Sequence, residues 1–189
     1  MKYYFAPMEG LTDAIYRRLH HQFFPGVDRY YTPFLSPTVH RRLTNREERE
    51  LPAAGETGAY TVPQLLTKNA EDFLWMAQLL RDRGYDRVNL NLGCPSGTVV
   101  AKGKGSGMLA DPDGLDAFLD AVCAASPLPV SVKTRVGVQS PEEFTKIMDI
   151  YRRYPLAELI IHPRVRRDFY EGQLHMECFA YALETAPFP

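Results

Sequence analysis

Short apolar runs alternate along this chain with segments of helical period. Tyr3–Pro7 reads as a brief strand stopped by proline, and Thr12-Asp13 caps a helix carrying Ile15 and Leu19. Arg29–Leu35 is the next strand candidate. His40–Glu50 is so dense in Arg and Glu that it predicts a solvated face or an excursion over the rim of the fold. Gly58–Leu66 is a clearer strand, closing at Pro63-Gln64. Asn69 and Asp72 have the spacing of a helix cap and its reciprocal carboxylate, and Phe73, Ala77 and Leu80 recur on one face behind them.

The same unit then recurs. Asp86–Gly93 leads through a glycine-rich stretch to Asp111-Pro112, a helix start with proline at its first position and a buried stripe of Leu115, Phe118, Leu119 and Val122. Leu128–Val136 leads to Ser140, Pro141, Glu142 and Glu143, again cap, proline and box carboxylate, with Phe144, Ile147, Met148 and Tyr151 behind. Leu156–Arg164 is a further strand, and 176–183 reads as a helix. Strands alternating with helices imply right-handed crossovers and a parallel sheet in one domain spanning 1–189.

A doubly wound sheet and a TIM barrel both satisfy this pattern. The barrel is favoured because no GxGxxG follows the first strand, while polar or reactive residues stand at the ends of several strands: Met8, Gln64, Asn91, Cys94, Lys133, His162 and Arg164. About six strands are legible where a barrel of roughly 250 residues has eight. The expectation is an α/β fold, a TIM barrel (β/α)8 incomplete at the C-terminus, with Ala186–Pro189 approaching a further strand.

Composition narrows the class. The 189 residues are 45% hydrophobic and 24% charged, with a net charge of -1, which describes a globular chain without the bulk basic character of many nucleic-acid binders. Arg41-Arg42 and Arg164, Arg166 and Arg167 remain local candidates for anion contact. Three dispersed cysteines, Cys94, Cys123 and Cys178, suggest neither a disulfide framework nor a zinc site. No apolar run reaches the roughly 18 residues of a membrane span. The expectation is a cytoplasmic protein with no membrane association.

Cys94 lies between Gly93 and Pro95 at a strand end, where a thiol serves as nucleophile, metal ligand or proton donor. Ala101–Gly107 (AKGKGSG) is either a mobile surface loop or one that closes over a bound cofactor or meets an RNA backbone through Lys102 and Lys104. Lys133, in the alternating run Val130–Thr134, needs a partner or a ligand if it faces a barrel interior. His162 and Arg164 suit a phosphate or ring carbonyl, and Gln64 can read the edge of a heteroaromatic ring. Together these groups describe an anionic, planar ligand better than a metal.

Four blocks in order, Ala6–Asp13 (APMEGLTD), Val88–Pro95 (VNLNLGCP), Pro129–Gly137 (PVSVKTRVG) and Ile160–Arg164 (IIHPR), resemble the tRNA-dihydrouridine synthase family. The resemblance implies an FMN-containing barrel followed by a small helical RNA-binding domain, using NADPH to reduce uridines in tRNA. It makes Cys94 the acid that protonates uracil C5 and Asn91 an amide near flavin and base. Pro7, Met8, Glu9, Gln64, Lys133 and His162 become flavin contacts, with Arg164 a neighbour and Lys102 and Lys104 beside the entering RNA. The family more often has a carboxylate at the position of Asn89 and glycine at that of Pro163. Another FMN barrel acting on a free pyrimidine or dihydroorotate, and a non-catalytic RNA-binding derivative, are the competing readings.

Overall fold

In the computed structural model, which describes residues 1–38, 40–56 and 58–189, every strand pairing is parallel. Strands β1 (Tyr4–Phe5), β2 (Arg29–Tyr31) and β3 (Thr61–Val62) form one sheet, ordered β1-β2-β3. Strands β4 (Gln64–Leu65), β5 (Val88–Leu92), β6 (Val130–Arg135) and β7 (Glu158–His162) form the second, in chain order. Only Pro63, which has no N–H to give to a ladder, separates β3 from β4. Its carbonyl still accepts from Asn89 N at 2.9 Å, and a bridge from Leu35 to Leu65 carries the pairing on. The two sheets are thus one curved wall.

The curvature is measurable across the interior. Arg29 of β2 and Glu158 of β7 stand at opposite flanks of the strand order, yet their side chains meet at 2.7 Å, with the Tyr31 hydroxyl donating to the same carboxylate at 2.8 Å. A flat sheet would hold them several strand spacings of about 4.8 Å apart. The architecture is a partial (β/α)8 barrel with fewer than eight strands. Leu159 N donates to the Pro189 carbonyl, so the final residues run beside β7 as the apolar Ala186–Pro189 pattern suggests.

The helices lie outside the wall: α1 (Ala14–Phe23), α2 (Asn45–Glu50), α3 (Ala70–Asp82), α4 (Gly97–Val100), α5 (Pro112–Ala125), α6 (Glu143–Tyr151) and α7 (Met176–Thr185). The stripes of α3, α5 and α6 are buried as their spacing predicts, in one core with Val88, Leu90, Leu92 and Val132. Asn69 caps α3, although its own N–H goes to Thr67 Oγ1 rather than to Asp72. Glu143 makes the expected box bond of α6, accepting from Ser140 N as well as from Val138 N and Gln139 N, whereas the Ser140 hydroxyl donates to Glu142 instead of capping. No helix among the described residues is long and apolar enough to cross a membrane.

The first quarter departs from the sequence pattern. On α1, Ile15 and Leu19 are 60% and 42% exposed, and the buried residue is Arg17, at 2%. The segment expected to be a solvated face or an excursion over the rim buries Glu47 and Glu50 of α2. Glu50 receives Arg17, whereas Glu47 closes a capping box with Thr44 and accepts from Ser36 N. Periodicity reads these charges as outward because it cannot see that each finds a partner.

Candidate active site

The C-terminal ends of the strands surround a cavity of about 520 Å³, lined by Ala6–Glu9, Pro33, Phe34, Gln64, Asn91, Gly93, Cys94, Lys133, Arg135, His162 and Tyr170. Its first wall is the turn after β1. Thr12 Oγ1 accepts from Met8 N at 2.8 Å and donates back to Met8 O, and Thr12 O accepts from Arg17 Nη1 at 2.8 Å. Arg17 is itself fixed by the Glu50 carboxylate and carbonyl, both at 2.8 Å. The buried Arg17–Glu50 pair thus braces, through Thr12, the turn that carries Met8 at the cavity. Glu9 also pairs with Arg46 at the exposed rim.

The floor is built of neutral amides on β4 and β5. Asn91 Oδ1 accepts from the backbone N–H groups of Gly93 (3.1 Å) and Cys94 (2.9 Å), closing the turn that carries the thiol. Asn91 Nδ2 donates to Gln64 Oε1 at 2.7 Å, and Gln64 Nε2 donates to Asn89 Oδ1 at 2.8 Å. On the other side of Cys94 its carbonyl accepts from both Ser106 N (3.1 Å) and Ser106 Oγ (2.8 Å). Gly105, at φ +57°, lies so close to Cys94 that an added Cβ would come within 2.9 Å of that carbonyl.

Opposite stand the cations of β6 and β7. Register sets Lys133 beside Asn91 and Arg135 beside His162. The cavity leaves Lys133 partly accessible, yet protein atoms crowd its ammonium, and burial, then the nearby Arg135 charge, lowers its pKa. No carboxylate pairs with it among the described residues. Arg135 is 1% exposed; its Nε donates to Gly93 O at 2.8 Å and its Nη1 to Val165 O at 3.0 Å, leaving Nη2 buried without a partner. The Tyr170 ring lies 5.3 Å from that guanidinium, after Phe169 at φ +48°.

His162 is held neutral. Burial, and then the charges of Arg135, Lys133 and Arg164, push its pKa down to about 4. Arg164 Nη1 lies 3.3 Å from His162 Nε2, and since a guanidinium only donates, Nε2 accepts and the ring proton sits on Nδ1. The site thus gathers a thiol, two cations and several N–H groups with unused capacity. Such a set suits a planar ligand bearing carbonyls and negative charge.

Of the residues singled out from the sequence, Pro7, Met8, Glu9, Gln64, Asn91, Cys94, Lys133 and His162 line this one cavity. Arg164 stands behind His162, with Nε on Gly172 O at 2.7 Å. Lys102 is exposed and Lys104 half-buried, neither lining the cavity, and the loop that carries them is pinned by buried Ser106, Met108 and Leu109. Arg135, Tyr170, Pro33 and Phe34 were not singled out. Arg135 was findable, since two residues beyond Lys133 on a strand is the same face.

Fold and cavity define a parallel α/β barrel protein whose strand ends converge on a polar, donor-rich ligand site. The family model described as Dihydrouridine synthase (Dus) matches residues 4–182, and the chain belongs to that family. It is 30% identical over 181 residues to a probable tRNA-dihydrouridine synthase of Staphylococcus epidermidis, covering 91% of this chain and 52% of that protein. It is 29% identical over 190 residues to one of Rhizobium leguminosarum bv. phaseoli, covering 97% and 57%. The chain spans about half the length of these curated relatives.

Proposed function

We propose that the protein reduces the C5–C6 double bond of uracil in tRNA, with FMN in the cavity, NADPH as reductant and Cys94 as proton donor. The observation that carries this reading is the convergence of Cys94, Asn91, Lys133, Arg135 and His162 on one cavity in a chain of this family. FMN fits the residues present: Lys133 has no carboxylate partner and Arg135 Nη2 is buried without one, as expected where a ligand's carbonyls and anionic edge complete the site. Pro7, Met8, Glu9, Gln64, Lys133 and His162 would hold it. Bound there, FMN supplies the hydride chemistry.

The chain's own residues supply position and the proton. Asn91 and Ser106 grip Cys94 from either side, so the thiol is presented to the ring without searching rotamers of a loose turn. Cys94 Sγ–H gives its proton to C5. Neutral His162 offers an Nδ1–H donor without adding a third charge beside Lys133 and Arg135. Phe34 and Tyr170 add aromatic side chains to the walls, suited to a base extruded from its stack. The reading extends to the whole protein, with a helical RNA-binding unit after the barrel and cytoplasmic tRNA as its partner.

The test is incubation of the complete protein with NADPH and unmodified tRNA, followed by digestion to nucleosides. Dihydrouridine is expected. Cys94→Ala should leave FMN reduction by NADPH intact while slowing uracil reduction by about 10²–10⁴-fold, the usual loss for a positioned acid. Reduction of a free pyrimidine without dihydrouridine in tRNA would move the protein to a different substrate class.

A further inference from the structure

The amides at the cavity floor belong to a longer chain of hydrogen bonds. From Asn91 it passes through Gln64 to Asn89, whose Nδ2 donates to Ser131 Oγ at 2.9 Å, and Ser131 Oγ donates to Val88 O at 3.1 Å. Gln64, Asn89 and Ser131 are fully buried, so none of these groups can turn to water instead.

An amide side chain can ordinarily be rotated end for end, with O and N exchanging places. Here it cannot. The N–H groups of Gly93 and Cys94 require an acceptor, which makes that end of Asn91 its oxygen. Its nitrogen must then face Gln64, so Gln64 presents oxygen to it and nitrogen to Asn89, and Asn89 presents nitrogen to Ser131. At the far end the Val88 carbonyl takes the Ser131 proton. Backbone groups at both ends thus fix the sense of every bond between.

Each amide nitrogen has two N–H bonds and spends one in the relay. Asn91, 9% exposed at the cavity, retains one N–H with no protein partner among the described residues, and the fully buried Gln64 lies directly behind it. With the Lys133 ammonium, also a donor only, the floor and facing wall show the ligand N–H groups, and the buried Arg135 guanidinium adds its positive charge from behind.

We infer that Asn89 and Ser131 are positioning residues that, through Gln64, fix Asn91 as a hydrogen-bond donor to the cavity, so that the site selects a ligand edge bearing acceptors, and that the same relay orients Cys94. This deepens the proposed function and rests on it for the identity of the ligand, but not for the geometry of Cys94. Reversal of the relay would turn the Asn91 oxygen, an acceptor, toward the same edge.

The test compares Asn89→Asp with Asn89→Leu in the complete protein, two side chains of similar bulk at a fully buried position. A packing role would favour leucine. A positioning role favours aspartate, because a carboxylate oxygen still accepts from Gln64 Nε2 while its second oxygen accepts from the Ser131 hydroxyl. Two readouts are made: the dissociation constant for FMN from quenching of flavin fluorescence, and the rate of iodoacetamide alkylation of Cys94 in cofactor-free protein, followed by peptide mass as a function of pH.

Asn89→Leu should weaken FMN about tenfold or more and change Cys94 alkylation about three- to tenfold, the range of one net hydrogen bond or one stranded donor. Asn89→Asp should restore both to within about twofold of wild type. Ser131→Ala, which removes only a hydroxyl, should move both readouts in the direction of Asn89→Leu and provides the comparison if the leucine variant does not fold. Wild-type behaviour of both Asn89→Leu and Ser131→Ala, or equal damage from aspartate and leucine, would overturn the inference. If wild-type protein binds no FMN the proposed function fails, while Cys94 alkylation still decides the relay.

Discussion

Replacing Arg17 by methionine tests how far the site depends on a charge buried behind it. The Arg17 and Glu50 side chains are 3% and 8% exposed, and the guanidinium donates three 2.8 Å bonds, to the Glu50 carboxylate, the Glu50 carbonyl and the Thr12 carbonyl. Arg17→Met strands a buried carboxylate and two backbone acceptors. Breaking such a pair on one side costs about 3–5 kcal/mol. At about 2–4 °C per kcal/mol for a chain of this size, the melting temperature should fall by roughly 6–20 °C.

The parts of that cost are separable. In Arg17→Met/Glu50→Gln the stranded charge is gone and the two carbonyls remain, at about 1 kcal/mol each, so roughly half the loss should return. Urea unfolding by circular dichroism measures both variants. Flavin affinity should fall with stability, since Arg17 reaches Met8 through Thr12. A cost below about 1 kcal/mol, or one that Glu50→Gln leaves unchanged, would refute this account of the pair.

Two further substitutions probe the site directly. Because the folded protein holds His162 down to about 4 against an ordinary 6.5, the unfolded chain takes up this proton first, and stability should decline as pH drops from about 6.5 to 4. Screening at a half-buried ring limits the effect to about 1 kcal/mol, and His162→Gln should flatten that part of the stability–pH profile, as denaturation at stepped pH would show. Gly105→Ala forces a left-handed residue and drives a Cβ against the Cys94 carbonyl and Val99. It should cost about 2–4 kcal/mol and alter Cys94 alkylation; a neutral result in denaturant titration would contradict the close approach.

What the sequence revealed follows from what each signal encodes. Strands β5 and β6 and helices α3, α5 and α6 were legible because each buries a whole face, and burial writes a period into the chain. The residues at strand ends were legible as a set for the same reason, since a barrel sends all such ends to one rim. Helix α1 was legible from its Asp13 cap, but its inward face was not, because the inward position is an arginine whose burial depends on Glu50, 33 residues away. The division at Pro63 was visible as a proline, but not that the wall continues across it through Leu35 and Leu65. The glycines and lysines of Ala101–Gly107 were visible in the sequence, but the anchoring of that loop to the Cys94 carbonyl by Ser106 is a tertiary fact.

The relay from Val88 to Cys94 contains only amides and a hydroxyl, none of which gains or loses a proton across the physiological range. Its alignment is therefore insensitive to acidity and, being buried, to ionic strength. The Glu9–Arg46 pair at the rim, with both side chains substantially exposed, is the opposite kind of fixture and weakens as salt screens it. One cavity thus has a constant side and an adjustable one: changes in the medium reach the doorway first and leave the seating of the thiol as it was.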